Sequence, residues 1–183
     1  MGECIAKFSY VEASLFTVFE ILAGGTRSDA FTIFTTVESE SVRDALVSAL
    51  LSKHHPEPIQ QLYRAINSLR VAKRKTRNRL AHGEFGFIQG RDDLLLVHDP
   101  RKVATLQGAD WRDHVLVYHK DELFRFLGEA GRVKIFLDFF SMVISPGMSR
   151  SERDGIFAQL SAEPEIKERL DLPARKSQSP PPK

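Results

Sequence analysis

The chain has 183 residues, 42% of them hydrophobic and 27% charged, with a formal net charge of +2. This length suffices for one domain with a hydrophobic core, and the composition is that of an ordinary soluble protein. No apolar run approaches the roughly 20 residues of a membrane-spanning helix, so we expect no membrane association. The first residues, MGECIAKFSY, lack a signal-peptide pattern, and the single cysteine cannot form an intramolecular disulfide. We therefore expect a cytoplasmic protein.

Helical periodicity covers the first half of the chain. Apolar residues recur at helical spacing in FSYVEASLFTVFEILAGG, and the pattern stops at the paired glycines, which predicts a first helix. Two shorter helices, or one helix with a break near residues 38–40, are predicted to follow a cap at Ser28. The longest predicted helix begins around Pro56, a residue that the first turn tolerates, and runs to Gly83.

The second half begins with a different pattern. Short apolar runs around the turn-like sequence GRDD predict a β-hairpin or a three-stranded insertion at residues 84–119. A long helix is then predicted for KDELFRFLGEAGRVKIFLDFFSMVI. Residues 149–183 are polar and end in RKSQSPPPK, so we expect a partly disordered tail. The fold prediction is a mainly α domain over residues 1–148, a bundle of about four to five helices with the β insertion between the last two long ones.

The C-terminal third of the longest predicted helix carries a dense basic cluster, KRKTRNRLAHGEFG at residues 73–86. The apolar stripe of this helix also contains Lys73, and Arg77 lies at its edge. A half-buried cation is costly unless an acidic partner, water or a bound anion compensates it. Either these side chains extend to solvent, or this end of the helix lines a wet cavity or meets an anionic ligand.

His82 lies five residues after Arg77, so on a straight helix the two side chains point roughly 140° apart. They can converge on one phosphate if the last turn is distorted, which Gly83 would permit. They can also converge if a second copy brings the motif together across a two-fold axis. Considered alone, His82 would be a favourable cation at a helix C-terminus.

The run RNRLAH, Arg77 to His82, resembles the signature of the HEPN superfamily (higher eukaryotes and prokaryotes nucleotide-binding). That all-helical group carries Arg, four to six residues and then His, often with a polar residue after the Arg, and Asn78 stands at that position here. The context also fits, because the run ends a long helix that follows amphipathic helices and precedes another long one. The resemblance covers roughly residues 7 to 146, and the β insertion goes beyond the minimal helical bundle.

The resemblance implies a metal-independent endoribonuclease that works as a homodimer, with Arg77, Asn78 and His82 as catalytic residues. A histidine can take a proton from a ribose 2′-OH or give one to the leaving 5′ oxygen, while a guanidinium holds the phosphate. Because the 2′-OH is the nucleophile, the product is a 2′,3′-cyclic phosphate and DNA is not cut. The biological setting implied is a toxin or an antiviral-defence effector, with RNA as substrate and a protein antitoxin or regulator as a further partner.

Further cations of the same helix would then form an electrostatic approach for RNA and make binding steeply salt-dependent. These RNA-binding candidates are Arg70, Lys73, Arg74 and Arg79. A simply solvated basic face is the alternative interpretation of this group.

Two other functions stay open besides the ribonuclease. The protein could be a non-catalytic module that holds RNA or a nucleotide at the basic helix end. It could also be a structural dimer or adaptor in which Arg77 pairs with a carboxylate such as Glu12 or Glu20. Cleavage separates the first function from the others, and salt-sensitive RNA retention without cleavage separates the second from the third.

No cofactor and no metal are expected. His54 and His55 are adjacent and point apart, and His114 and His119 bracket a predicted strand on opposite faces. There is no cysteine pair, and the glycines match no nucleotide-binding fingerprint.

Overall fold

Helices make up most of the structure, and three short strands interrupt them after the fourth helix. The computed structural model describes residues 1–100 and 114–171. Within these ranges the elements, in chain order, are α1 (Gly2–Ala23), α2 (Arg27–Thr36), α3 (Glu40–His54), α4 (Glu57–His82), β1 (Glu84–Ile88), β2 (Arg91–His98), β3 (Val115–His119), α5 (Lys120–Ile144), α6 (Arg150–Ala162) and α7 (Pro164–Leu170). The protein is therefore mainly helical with a small antiparallel sheet, as the sequence predicts. No helix of the described part is long and apolar enough to cross a membrane.

The hydrophobic core lies between α1, α4 and α5. Each of these helices buries the apolar stripe that its periodicity predicts, because residues three and four apart share one helical face. The largest fully buried apolar side chains of the three helices are Phe8, Leu15, Leu62, Tyr63, Ile66, Leu80, Leu137 and Phe140. The main contact is between α1 and α5, and α2 and α3 cover the other side of α1.

The predicted break near residues 38–40 is present, because α2 ends at Thr36 and α3 begins at Glu40. The cap of α2 differs from the prediction. The side chain of Thr26, two residues before the predicted Ser28, accepts a hydrogen bond from the backbone N–H of Asp29 at 3.1 Å.

The sheet has the order β1-β2-β3, and both pairings are antiparallel. The β1–β2 turn contains Gly90 at φ 77°, a left-handed conformation that glycine adopts without a Cβ penalty. Leu95 and Val97 on β2 are buried against the helices. Because β1 begins two residues after α4 ends, the sheet lies at the C-terminal end of that helix.

The polar tail predicted from residue 149 is wrong for its first part, which forms α6 and α7. A capping box between Ser149 and Glu152 starts α6. Leu160 and Ile166 are buried, and Ile156, Phe157 and Leu170 pack against the core, so these five apolar residues anchor the two helices. The rest of the predicted tail lies outside the described residues.

Candidate nucleic-acid interface

Helix α4 stays regular to its last residue. The backbone N–H of Gly83 donates to the carbonyl of Arg79 at 2.9 Å, and Gly83 has φ −82°, an ordinary extended conformation. A Cβ at this position would lie 2.5 Å from Cγ1 of Val97 and 2.6 Å from the Arg79 carbonyl oxygen. Glycine is needed here because β2 approaches the helix closely. The distortion of the last turn that was considered from the sequence, as a way to bring Arg77 and His82 together, is absent.

A groove of about 840 Å³ lies between the C-terminal end of α4 and the sheet. The α4 side of this groove is formed by Val71, Arg74, Lys75, Asn78, Arg79 and His82. The sheet side contributes His98, Asp99 and His114, with Val97 and Leu116 as apolar floor. Basic, amide and imidazole groups and the carboxylate of Asp99 therefore surround an open space large enough for part of a polynucleotide.

One helical face supplies the polar residues on the α4 side. Lys75, Asn78, Arg79 and His82 are spaced i, i+3, i+4 and i+7, which places their side chains next to one another. This spacing was visible in the sequence, and it would have added Lys75 to the predicted RNA-binding residues. The same spacing shows that Arg77 lies on a different face of α4, although the motif resemblance grouped it with His82.

Arg77 does not line the groove, although it contacts a residue that does. Its Nη1 donates to Oδ1 of Asn78 at 2.8 Å, and its guanidinium lies over the ring of Phe8 at 5.8 Å. The same Nη1 is 4.0 Å from a carboxylate oxygen of Glu40 on α3. Of the three predicted catalytic residues, the structure thus brings Asn78 and His82 into the groove and places Arg77 behind Asn78.

The carboxylates suggested from the sequence as partners of Arg77 are engaged elsewhere. Glu12 pairs with Arg70 at 2.8 Å, and Glu20 pairs with Arg27 at 2.8 Å. The acidic neighbour of Arg77 is Glu40 instead, because the first turn of α3 packs beside this part of α4.

Arg70 is fully buried. Its guanidinium donates to Glu12 at 2.8 Å, to Asn67 at 2.8 Å and to Asp44. It therefore has no surface to offer a ligand, contrary to the predicted role in RNA binding. A buried guanidinium is tolerated here because charged and polar partners on three helices occupy its donors.

Lys73 and Arg74 also form internal ion pairs. The ammonium of Lys73 lies 2.5 Å from Glu129 on α5, and Lys73 does not line the groove. Arg74 does line the groove, but its Nε is 3.2 Å from Glu40 and its Nη1 is 3.9 Å from Asp44. Among the predicted RNA-binding residues, Arg74 and Arg79 face the groove while Arg70 and Lys73 face the bundle.

Two cations in the groove have no acidic partner within the described ranges. No carboxylate there comes within 4.0 Å of Lys75 or Arg79. Lys75 is exposed and Arg79 is half-buried. These uncompensated charges make the α4 wall attractive to an anion such as a phosphate.

The sheet adds two histidines that the motif did not indicate. Nε2 of His98 lies 3.6 Å from a carboxylate oxygen of Glu84, its Cα partner on β1, while Nδ1 is buried without a hydrogen-bond partner among the described residues. His114 is exposed and directly precedes β3. No sequence signal connected these residues with His82, because only the strand register brings them to the same groove.

The chemistry available to this groove is proton transfer and anion binding. Among the residues that the structure describes, no group of three or more His, Cys, Asp or Glu side chains is arranged to hold a metal ion. Comparisons of the chain with family models, curated proteins and solved structures found no match. Imidazole groups at His82 and His98 can accept or donate protons, and Lys75 and Arg79 can hold a phosphate beside them.

Proposed function

We propose that this protein is a metal-independent endoribonuclease of the HEPN type that cleaves RNA held in the α4–sheet groove. The observation that carries the proposal is the α4 wall, where Lys75, Asn78, Arg79 and His82 share one helical face. A phosphate binder next to a proton-transfer group is what attack of a ribose 2′-OH on the phosphorus requires.

In the proposed reaction, Lys75 and Arg79 hold the scissile phosphate and balance the charge that builds on its oxygens. Asn78 uses Oδ1 to accept a hydrogen bond from Arg77, so its amide N–H groups are left to donate to the phosphate. His82 exchanges a proton with the ribose 2′-OH or the leaving 5′ oxygen. The products are a 2′,3′-cyclic phosphate and a 5′-hydroxyl, and DNA is not a substrate because it lacks the nucleophile.

In this proposal Arg77 positions Asn78 within its own chain and contacts the phosphate only in a dimer. Within one chain it fixes the side chain of Asn78, and its contact with Glu40 keeps it behind the groove wall. The regular last turn of α4 leaves Arg77 and His82 on different faces, so a direct contact of both with one phosphate requires a second copy. We therefore propose a homodimer, active in the cytoplasm as a toxin or antiviral-defence effector and controlled by a protein antitoxin or another regulator.

A second candidate is a binding or adaptor protein without catalysis. It is favoured by the internal pairing of the arginines, since Arg70, Arg74 and Arg77 all have carboxylate neighbours from α1 or α3. Ion pairs of this kind are typical of a structural network. An adaptor of this type would retain no RNA, whereas a non-catalytic RNA-binding module would retain it through Lys75 and Arg79.

The test is incubation of end-labelled single-stranded RNA in EDTA with the purified protein and with two variants. His82→Gln removes the proposed acid–base group, and His54→Gln is the matched control because His54 is an exposed histidine on α3 outside the groove. We expect the wild type and His54→Gln to leave cyclic phosphates. We expect His82→Gln to cleave about 10² to 10⁴ times more slowly.

Equal cleavage by His82→Gln and the wild type would refute the role of His82, and absence of cleavage by both would favour the second candidate. Light scattering at micromolar concentration tests the dimer separately. A strict monomer that still cleaves RNA would restrict Arg77 to the positioning of Asn78.

A further inference from the structure

Cleavage of RNA through its 2′-OH needs two proton transfers, and this inference rests on the proposed function. One group removes the proton of the 2′-OH as O2′ bonds to phosphorus, and another protonates O5′ as the P–O5′ bond breaks. A single neutral or protonated imidazole cannot do both in the same step. A concerted reaction therefore needs a second proton-transfer group at the same phosphate besides one His82 side chain.

The groove wall formed by the sheet contains a suitably placed histidine. His98 is the last residue of β2, and its Cα partner is Glu84, two residues after His82. The backbones of the two elements also touch, because a Cβ on Gly83 would lie 3.2 Å from the His98 carbonyl oxygen. The ends of α4 and β2 thus place His82 and His98 on the walls of one groove in the same chain.

The ring of His98 is only partly exposed. Its side chain is 25% exposed, its Nδ1 is buried, and its Nε2 is the nitrogen near Glu84. The 3.6 Å separation of Nε2 from the Glu84 carboxylate is too long for a hydrogen bond, so Nε2 remains available to a ligand. His114 differs because it is exposed and has no ion-pair partner in the described part of the chain.

We propose that His98 is the second catalytic residue of the groove and acts as the general acid that protonates the leaving O5′, while His82 is the base. The contact with Glu84 is an ion pair only when the imidazole is protonated, which is the form that an acid must have at the start of the step. Proton balance is complete, because His82 gains the 2′-OH proton and His98 loses one to O5′. Glu84 is a positioning residue that orients the ring.

The test compares two short RNA substrates of the same sequence, one natural and one with sulfur in place of the bridging 5′ oxygen. A thiolate leaves without a proton, so the sulfur substrate does not need the acid. For His98→Gln we expect natural RNA to be cleaved about 10² to 10⁴ times more slowly and the sulfur substrate at close to the wild-type rate. His82→Gln should be slow on both substrates, and His54→Gln, whose histidine lies on α3 outside the groove, should match the wild type on both.

The inference is overturned if wild type cleaves natural RNA and His98→Gln does so at a similar rate, or if the sulfur substrate does not restore its activity. In those cases the proposed function stands and the second group lies elsewhere. If the wild type cleaves neither substrate, the proposed function itself fails and this inference with it. Retention of labelled RNA at low salt and an unchanged melting temperature show that His98→Gln is folded and still binds.

Discussion

Replacement of the buried Arg70 by methionine should destabilise the protein without weakening the proposed binding of RNA. The side chain of Arg70 is 0% exposed and donates to Glu12, Asp44 and Asn67. Methionine keeps much of the apolar stem, so the main loss is the guanidinium. Glu12 and Asp44 would then be left as neighbouring carboxylates, 18% and 17% exposed, without their cation.

The burial of Arg70 sets the expected loss in the free energy of unfolding. Removal of one partner from a buried ion pair typically costs about 3 to 5 kcal/mol, because the other charge is left uncompensated. We expect about 3 kcal/mol, the lower end of that range. Both carboxylates still reach water, and Nη1 of Arg74, 3.9 Å from Asp44, can partly replace the lost charge. Against a total stability of about 5 to 15 kcal/mol, this is a large fraction.

Urea unfolding at pH 7 measures the effect as a lower midpoint with an unchanged slope. The matched control is Arg79→Met, which should change the free energy of unfolding by less than about 0.5 kcal/mol because Arg79 has no ion-pair partner in the described ranges. The triple variant Arg70→Met, Glu12→Gln, Asp44→Asn should recover part of the loss. A loss below about 1 kcal/mol for Arg70→Met would refute the assignment of Arg70 as a structural residue.

Three further predictions concern the groove and the core. Gly83→Ala should lower the free energy of unfolding by about 1 to 3 kcal/mol because the new Cβ overlaps β2. Gly128→Ala, where a Cβ meets nothing within 4 Å, should raise it by about 0.5 to 1 kcal/mol. Equal effects of the two substitutions in urea unfolding would contradict the close approach of β2 to Gly83. Lys75→Ala and Arg79→Ala should each weaken RNA retention and lower the slope of log affinity against log salt by about 0.7, whereas an unchanged slope would remove them from the interface. Burial raises the pKa of the Cys4 thiol, so iodoacetamide at pH 8 should modify native protein at least about tenfold more slowly than urea-unfolded protein, and equal rates would show that Cys4 is accessible.

The long helices and the strands could be predicted because their signals are local. The periodicity that ends at Gly83 and the apolar runs after it correspond to α4 and the sheet. Helices α6 and α7 were missed because they are short and each buries a single residue fully, Leu160 or Ile166, so the apolar stripe of each helix is brief.

The candidate site was only half predictable. His82, Asn78 and Arg79 were identified from the motif and the basic run, and all of them line the groove. Lys75 could have been found from its spacing to His82. His98 could not, because its place in the groove depends on the strand register that pairs it with Glu84.

The sequence by itself determined where α1 to α5 and the strands lie, which apolar faces of the long helices are buried and that basic residues crowd the end of α4. Only the tertiary structure decided which of those cations are neutralised. Arg70 meets carboxylates 58 and 26 positions away, while Lys75 and Arg79 on the opposite face meet none in the described part of the chain. The physical reason is that periodicity is a property of neighbouring residues, whereas the cost of a charge depends on what distant elements place beside it.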